Sequence, residues 1–228
     1  MSDDQGVGET LAAMAEAASA VILPLWRSGV TVDLKADLSP VTEADRRGEG
    51  VILEALARAF PEVPVVAEEQ AAAHGPPGMI GPRFFLVDAL DGTKAFVRGE
   101  AHFTVNIALI QDGLPVAGAV AAPATGQVWF TAAGGAAKRS VGETGGSPIR
   151  VRPRAAAALA LTSHRLPPEQ EARLRERYGF SERRGLDSSL KLCVIAEGGA
   201  LTTPDGEPFL YGKAAAGFEN GWFVARGG

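Results

Sequence analysis

One cysteine, Cys193, stands in 228 residues, so no internal disulfide can form. Such scarcity belongs with a reducing compartment, and we expect a cytoplasmic protein. The neighbours of Cys193, LKLCVIA, are apolar, which reads as a buried, inert thiol rather than a nucleophile. The three histidines, His74, His102 and His164, are scattered, with no HExxH and no Cys/His cluster, so zinc is not expected. No GxSxG and no paired Cys/His arrangement marks a covalent nucleophile. Basic charge is not in excess either. The 22 Lys and Arg face 27 Asp and Glu, for a net charge of −5. With no basic stripe and no cluster of stacking aromatics, nucleic-acid binding is not expected. A small anion held by local positive groups stays compatible with this balance. The apolar run AVILPLW is short of the roughly 20 residues that cross a bilayer, and the start, MSDDQGVGET, is acidic, unlike a signal peptide. No membrane partner is expected.

What is present is a sizeable apolar fraction, 46%, patterned as both helix and strand. Residues 9–28 are Ala-rich with apolar residues at helical spacing, and Pro24 should kink or end that helix. A short extended piece, VTVDLKAD, leads to SPVTEADRRGEGVILEALARAF, a second helix. Thr42 is placed to cap it, Asp45 stands three residues on, and Val51, Ile52, Leu56 and Phe60 form its apolar stripe. VPVVAEE and FFLVDALDG read as strands, and FTVNIALI, LPVAGAVAAP and ATGQVWFT as an antiparallel meander. A hairpin over AAKRSVGETGGSPIRV follows, then a strand ALALTSH. LPPEQEARLRERYG should be a polar helix stopped by Gly179, SSLKLCVIAEGG a buried helix, and FLYG and GWFVAR closing strands. RVRPR and RLRER read as solvated faces. No repeat or low-complexity linker appears. Helices, then antiparallel strands, then α/β alternation imply a layered α+β fold with two subdomains, 1–135 and 136–228, sharing one core.

Carboxylates recur where apolar structure ends: Asp45, the pair Glu68-Glu69, and Asp88 with Asp91. A carboxylate at least half buried is costly unless paired or bound to a cation. In DALDG the turn can aim Asp88, Asp91 and the Leu90 carbonyl at one point. These are hard oxygen ligands, suited to Mg²⁺. Alone, Asp88-x-x-Asp91-Gly could equally be an acidic turn, and EAD and EEQ could be helix caps. The continuation Gly92-Thr93-Lys94 tips the balance. Backbone N–H groups there can seat an anion, and the Thr93 hydroxyl can orient a water. Metal carboxylates beside a phosphate seat form one device for phosphate-ester hydrolysis.

The set SPVTEAD, VVAEE, LVDALDGTKAF, FTVNIALI and SSLK, in this order over nearly the whole chain, resembles the Mg²⁺-dependent, lithium-sensitive inositol monophosphatase superfamily. Lys94-x-Phe96 and FTVNIALI incline it to the 3′(2′),5′-bisphosphate nucleotidase branch. The resemblance implies an αβαβα sandwich of the inositol monophosphatase/fructose-bisphosphatase type. It also implies hydrolysis of the 3′-phosphate of adenosine 3′,5′-bisphosphate, linked to sulfur assimilation. By resemblance, Glu68, Asp88, the Leu90 carbonyl and Asp91 are metal ligands. Asp45 holds a further metal or its water and, with Thr93, orients the attacking water. Gly92 and Thr93 bind the scissile phosphate. His164, Arg165, Ser188, Ser189 and Lys191 contact the rest of the phosphonucleotide. An inositol or sugar phosphate phosphatase of the same fold is the alternative, as is a non-catalytic phosphonucleotide binder should the metal site be incomplete.

One expected piece is missing. The family carries a late ligand aspartate in a Trp-Asp-Thr-Ala-like motif, yet none of Trp26, Trp129 and Trp222 precedes an aspartate. The chain passes from AEGGA straight to LTTPDGEP. Three explanations are open: a stretch lying between Ala200 and Leu201 outside this sequence, a true deletion, or substitution by Asp187 or Asp205. The first is preferred here, because losing a core helix would expose the apolar faces it covered.

Overall fold

In the computed structural model, residues 4–29, 32–34, 40–75, 77–78, 80–150, 159–162, 166–196, 199–202 and 224–227 are described. Helix α1 (Asp4–Ser28) starts earlier than its spacing indicated and runs through Pro24. That proline is exposed, with four helical residues after it. As a whole helix, Gly6–Ser28 is long and apolar enough by composition to span a membrane, unlike the shorter run weighed above. In this fold half of that stretch is buried, with Leu11, Ala15, Ala18 and Ile22 in the core against the sheet.

Two short strands, β1 (Val32–Leu34) and β2 (Pro40–Thr42), pair antiparallel and deliver the chain to α2 (Glu43–Ala59). The capping box forms as its residues required: Thr42 caps the helix and the Asp45 side chain reaches back to the Thr42 N–H. Of the expected stripe, Ile52 and Leu56 are fully in the core, while Val51 and Phe60 pack at its edge. Strand β3 (Val65–Ala67) then runs directly into α3 (Glu68–His74).

Strand β4 (Arg83–Asp91) is the spine of the molecule. It is followed by the single-turn α4 (Thr93–Val97) and the meander β5 (Thr104–Gln111), β6 (Leu114–Ala122), β7 (Gln127–Ala132), β8 (Gly135–Ser140) and β9 (Ser147–Ile149). With β3 they form one seven-stranded sheet in sequential order, parallel only between β3 and β4. Alternation along β4 divides the faces. Phe85 and Val87 pack with α1 and α2, whereas Phe84 joins Val66 and Ile110 on the other side.

Past the sheet come β10 (Leu159–Thr162), α5 (Pro168–Tyr178), β11 (Glu182–Gly185), α6 (Leu190–Ala196), β12 (Gly199–Thr202) and β13 (Val224–Gly227). β10 and β11 pair parallel, and α5 ends at Gly179 in the left-handed conformation, as expected. α6 lays Leu190 and Cys193 on Ala122 and Trp129, so Cys193 is a buried core residue. Helices on both faces of a mixed sheet give the layered α+β architecture. The FLYG segment lies outside the described residues.

β12 spans the junction of AEGGA and LTTPDGEP. Ala200 and Leu201 are successive residues of one strand, facing Arg226 and Ala225 of β13 in unbroken antiparallel register.

Candidate active site

Asp88 and Asp91 are three residues apart, and in an uninterrupted strand they would face opposite sides of the sheet. They do not, because β4 is bulged between them. Asp88 faces Asn106 and Asp91 faces Thr104, so three steps on β4 match two on β5. The extra residue brings both carboxylates to one side at the strand's end. That is the structural use of the second acid. β3 lies next to β4, with Ala67 opposite Val87, and the next residue, Glu68, meets Asp88.

The result is a concentration of negative charge. Burial pushes the Asp88 carboxyl well above the usual range, and the charges of Asp91 and Glu68 raise it further. The Leu90 N–H donates to Asp88 Oδ1 at 3.0 Å and acts in the opposite sense.

The turn after the strand is tightly held. Gly92 has φ +94°, and a Cβ there would sit 2.6 Å from the His102 carbonyl oxygen and 3.1 Å from Ser188 Cβ. Only glycine fits. The Thr93 hydroxyl lies 3.1 Å from the Leu90 carbonyl and 3.3 Å from Asp45 Oδ1, one proton facing two acceptors. Asp45 is itself fixed from the other side, since its Oδ2 accepts from the Thr42 N–H at 2.7 Å and the Thr42 hydroxyl at 2.6 Å. The helix cap and the Thr93 partner are the same carboxylate.

The SSLK segment closes the cluster. Both the N–H and the hydroxyl of Ser189 donate to Asp91 Oδ2, the latter at 2.9 Å. Ser188 is buried at φ +59°, and its carbonyl accepts from Lys191 Nζ at 2.6 Å. Asp187, weighed as a substitute ligand, accepts a hydrogen bond from Arg98 at 3.2 Å. The fold thus brings together Asp45, Glu68, Asp88, Leu90, Asp91, Gly92, Thr93, Ser188, Ser189 and Lys191. His164, Arg165 and Asp205 lie outside the described residues.

One residue escaped the sequence reading. Glu49, 5% exposed, stands one turn after Asp45 and reaches α3 with both carboxylate oxygens. The signal was there: position 49 lies three and seven residues before Ile52 and Leu56, within the buried stripe of α2.

Among the described residues no group of three or more His, Cys, Asp and Glu side chains already stands in metal-holding geometry. Glu68 and Asp91 both act on Asp88, and Asp91 also accepts from Ser189. The donor chemistry nevertheless fits a hard divalent cation. The oxygens are carboxylate and carbonyl, and a cation would relieve the mutual repulsion that now raises Asp88.

Known proteins share much of this sequence. The chain is 38% identical over 187 residues to the 3′(2′),5′-bisphosphate nucleotidase CysQ of Salmonella typhimurium, covering 80% of this chain and 73% of that protein. It is 37% identical over 175 residues to the histidinol-phosphatase of Mycobacterium tuberculosis, covering 73% and 65%. CysQ from Bacteroides thetaiotaomicron superposes with a TM-score of 0.63 at 29% identity, covering 89% of this chain and 83% of that one. Residues 3–216 match the inositol monophosphatase family, and the chain belongs to that family.

Proposed function

We propose that the protein is a Mg²⁺-dependent 3′(2′),5′-bisphosphate nucleotidase, which hydrolyses the 3′-phosphate of adenosine 3′,5′-bisphosphate to AMP and phosphate, in sulfur assimilation. One observation carries the chemistry: the β4 bulge gathers Asp88 and Asp91 beside Glu68, next to a threonine already tied to a buried aspartate. The likeness to CysQ supports the substrate. Glu68, Asp88, the Leu90 carbonyl and Asp91 would hold the cation, with Asp45 close by. Bound Mg²⁺ supplies positive charge for the phosphoryl oxygens and makes water more acidic.

The residues of the chain do the rest. The Thr93 proton is directed at Asp45 and the Leu90 carbonyl, so the Thr93 oxygen is left to accept from a water and aim it in line with the phosphorus. Asp45 holds that hydroxyl in place and can draw its proton as the water loses one. Gly92, where no Cβ fits, lets the phosphate approach the backbone of the turn. In this reading residues 1–135 supply the metal site. Residues 136–228 supply the substrate contacts, with Ser188, Ser189 and Lys191 reaching the nucleotide together with His164 and Arg165. A cytoplasmic location and inhibition by lithium belong to the same proposal.

The histidinol-phosphatase match favours a second reading, a phosphatase of another small phosphate ester, with inositol and sugar phosphates in the same class. Phosphate release with Mg²⁺ from adenosine 3′,5′-bisphosphate, inositol 1-phosphate and histidinol phosphate, compared by kcat/KM, tests the assignment. The bisphosphate nucleotide is expected to lead. A higher kcat/KM on either of the others overturns the nucleotidase reading.

A further inference from the structure

The buried acid that the chemistry above does not use is Glu49. It sits on α2 one turn beyond Asp45, on the same side of the helix. Its Oε2 accepts from the Glu69 N–H at 2.8 Å and its Oε1 from the Gln70 N–H at 2.9 Å. These are first-turn amides of α3, a helix whose N-cap, Ala67, offers no side-chain hydrogen bond and which buries no residue of its own. Seven residues do not make a stable helix unaided. The start of α3 is therefore fixed by Glu49, just as Ser, Thr or Asp at a cap would fix it.

Glu68 is the residue immediately before those two amides. On its N-terminal side the backbone is held by the β3–β4 ladder, through Ala67 opposite Val87. On its C-terminal side it is held by Glu49. Gly48 lets α2 come this close, since a Cβ there would lie 2.7 Å from Ile22 Cδ1 and 3.4 Å from Ala89 Cβ, and Ala89 lies within the bulge.

We infer that Glu49 is a positioning residue for the cation site: by gripping the first turn of α3 with both oxygens, it holds Glu68 where it can ligate together with Asp88. The inference rests on the reading of Glu68 as a ligand. Residues that orient metal ligands typically change affinity by about 10–100-fold when altered. Glutamine fills the same volume but offers one accepting oxygen, so Glu49→Gln breaks the two-point grip while sparing the packing.

The test is calorimetric titration of Mg²⁺ into metal-free wild type and Glu49→Gln, with thermal melting of both in EDTA and kcat and KM at saturating Mg²⁺. The inference expects the Mg²⁺ Kd to rise about 10-fold or more in the variant. It expects the nucleotide KM at saturating Mg²⁺ to stay near the wild-type value. A variant that melts lower but binds Mg²⁺ as tightly as wild type overturns it, leaving Glu49 a structural cap alone. Wild type that takes up no Mg²⁺ overturns the reading of Glu68 as a ligand, and the inference with it. Should Glu49→Gln not fold, Glu49→Asp, which keeps the charge and withdraws it by one methylene, takes its place with the same expected result.

Discussion

Two places in the molecule gather acidic side chains, and they are built on opposite principles. At one, Glu9 and Glu16 of α1 close on Arg139 of β8, with contacts of 2.6 and 2.8 Å, and the guanidinium also lies over Phe130. The acids there hold Arg139 more firmly protonated than a free arginine, and burial works against them. This is a closed structural ion cluster that pins the first helix to β8. At the other, Asp88 is surrounded by Asp91 and Glu68, and every charge that shifts it is negative. The first cluster contains its counter-charge as a side chain. The second is arranged so that an external cation supplies it.

The sharpest way to break this comparison is Asp88→Asn. If the second cluster is a cation site, phosphate release should fall on the order of 10²–10³-fold or more at saturating substrate, in a protein that still folds. Full activity would make the cluster an acidic turn. Next in size is Thr93→Ala, expected to lower kcat by about 10²-fold while leaving the Mg²⁺ Kd from calorimetry near wild type, because the hydroxyl positions water rather than the cation. Arg139→Ala should do the reverse. Removing a guanidinium with only 7% of its side chain exposed strands two glutamates and should cost roughly 2–3 kcal/mol in urea unfolding, discounted for the 45% exposure of Glu9. Its kcat should stay unchanged.

The smallest effect is a pH dependence. The folded-state pKa of Asp88 lies above its unfolded value. Its contribution to stability is therefore fully present below the ordinary carboxylate pKa, about 3.9, and is lost as pH rises through the folded value. Metal-free protein should lose a part of its melting temperature on that rise, and Asp88→Asn should remove that part. A wild-type profile identical to that of the variant would contradict the charge cluster.

Much of this was legible in the sequence, because the relevant signals are local. The capping box of Thr42 and Asp45, the Gly179 stop and the strands of the meander follow from residue type and spacing. The acids were legible too, since each ends an apolar segment. What was not legible depends on register and on contacts between distant segments. The bulge that turns Asp88 and Asp91 to one side exists only relative to β5. The grip of Glu49 on α3 spans 20 residues of sequence, and the double donation of Ser189 to Asp91 spans 98. Pro24 does not end α1, which runs four residues past it.

The central claim is that the acids at the end of β4 serve a cation in phosphate-ester hydrolysis. Phosphate release from adenosine 3′,5′-bisphosphate, followed as Mg²⁺ is titrated into EDTA-treated protein, tests it most directly. The account predicts no turnover without the metal and saturable recovery as Mg²⁺ is added. Equal turnover in EDTA and in Mg²⁺ would contradict it.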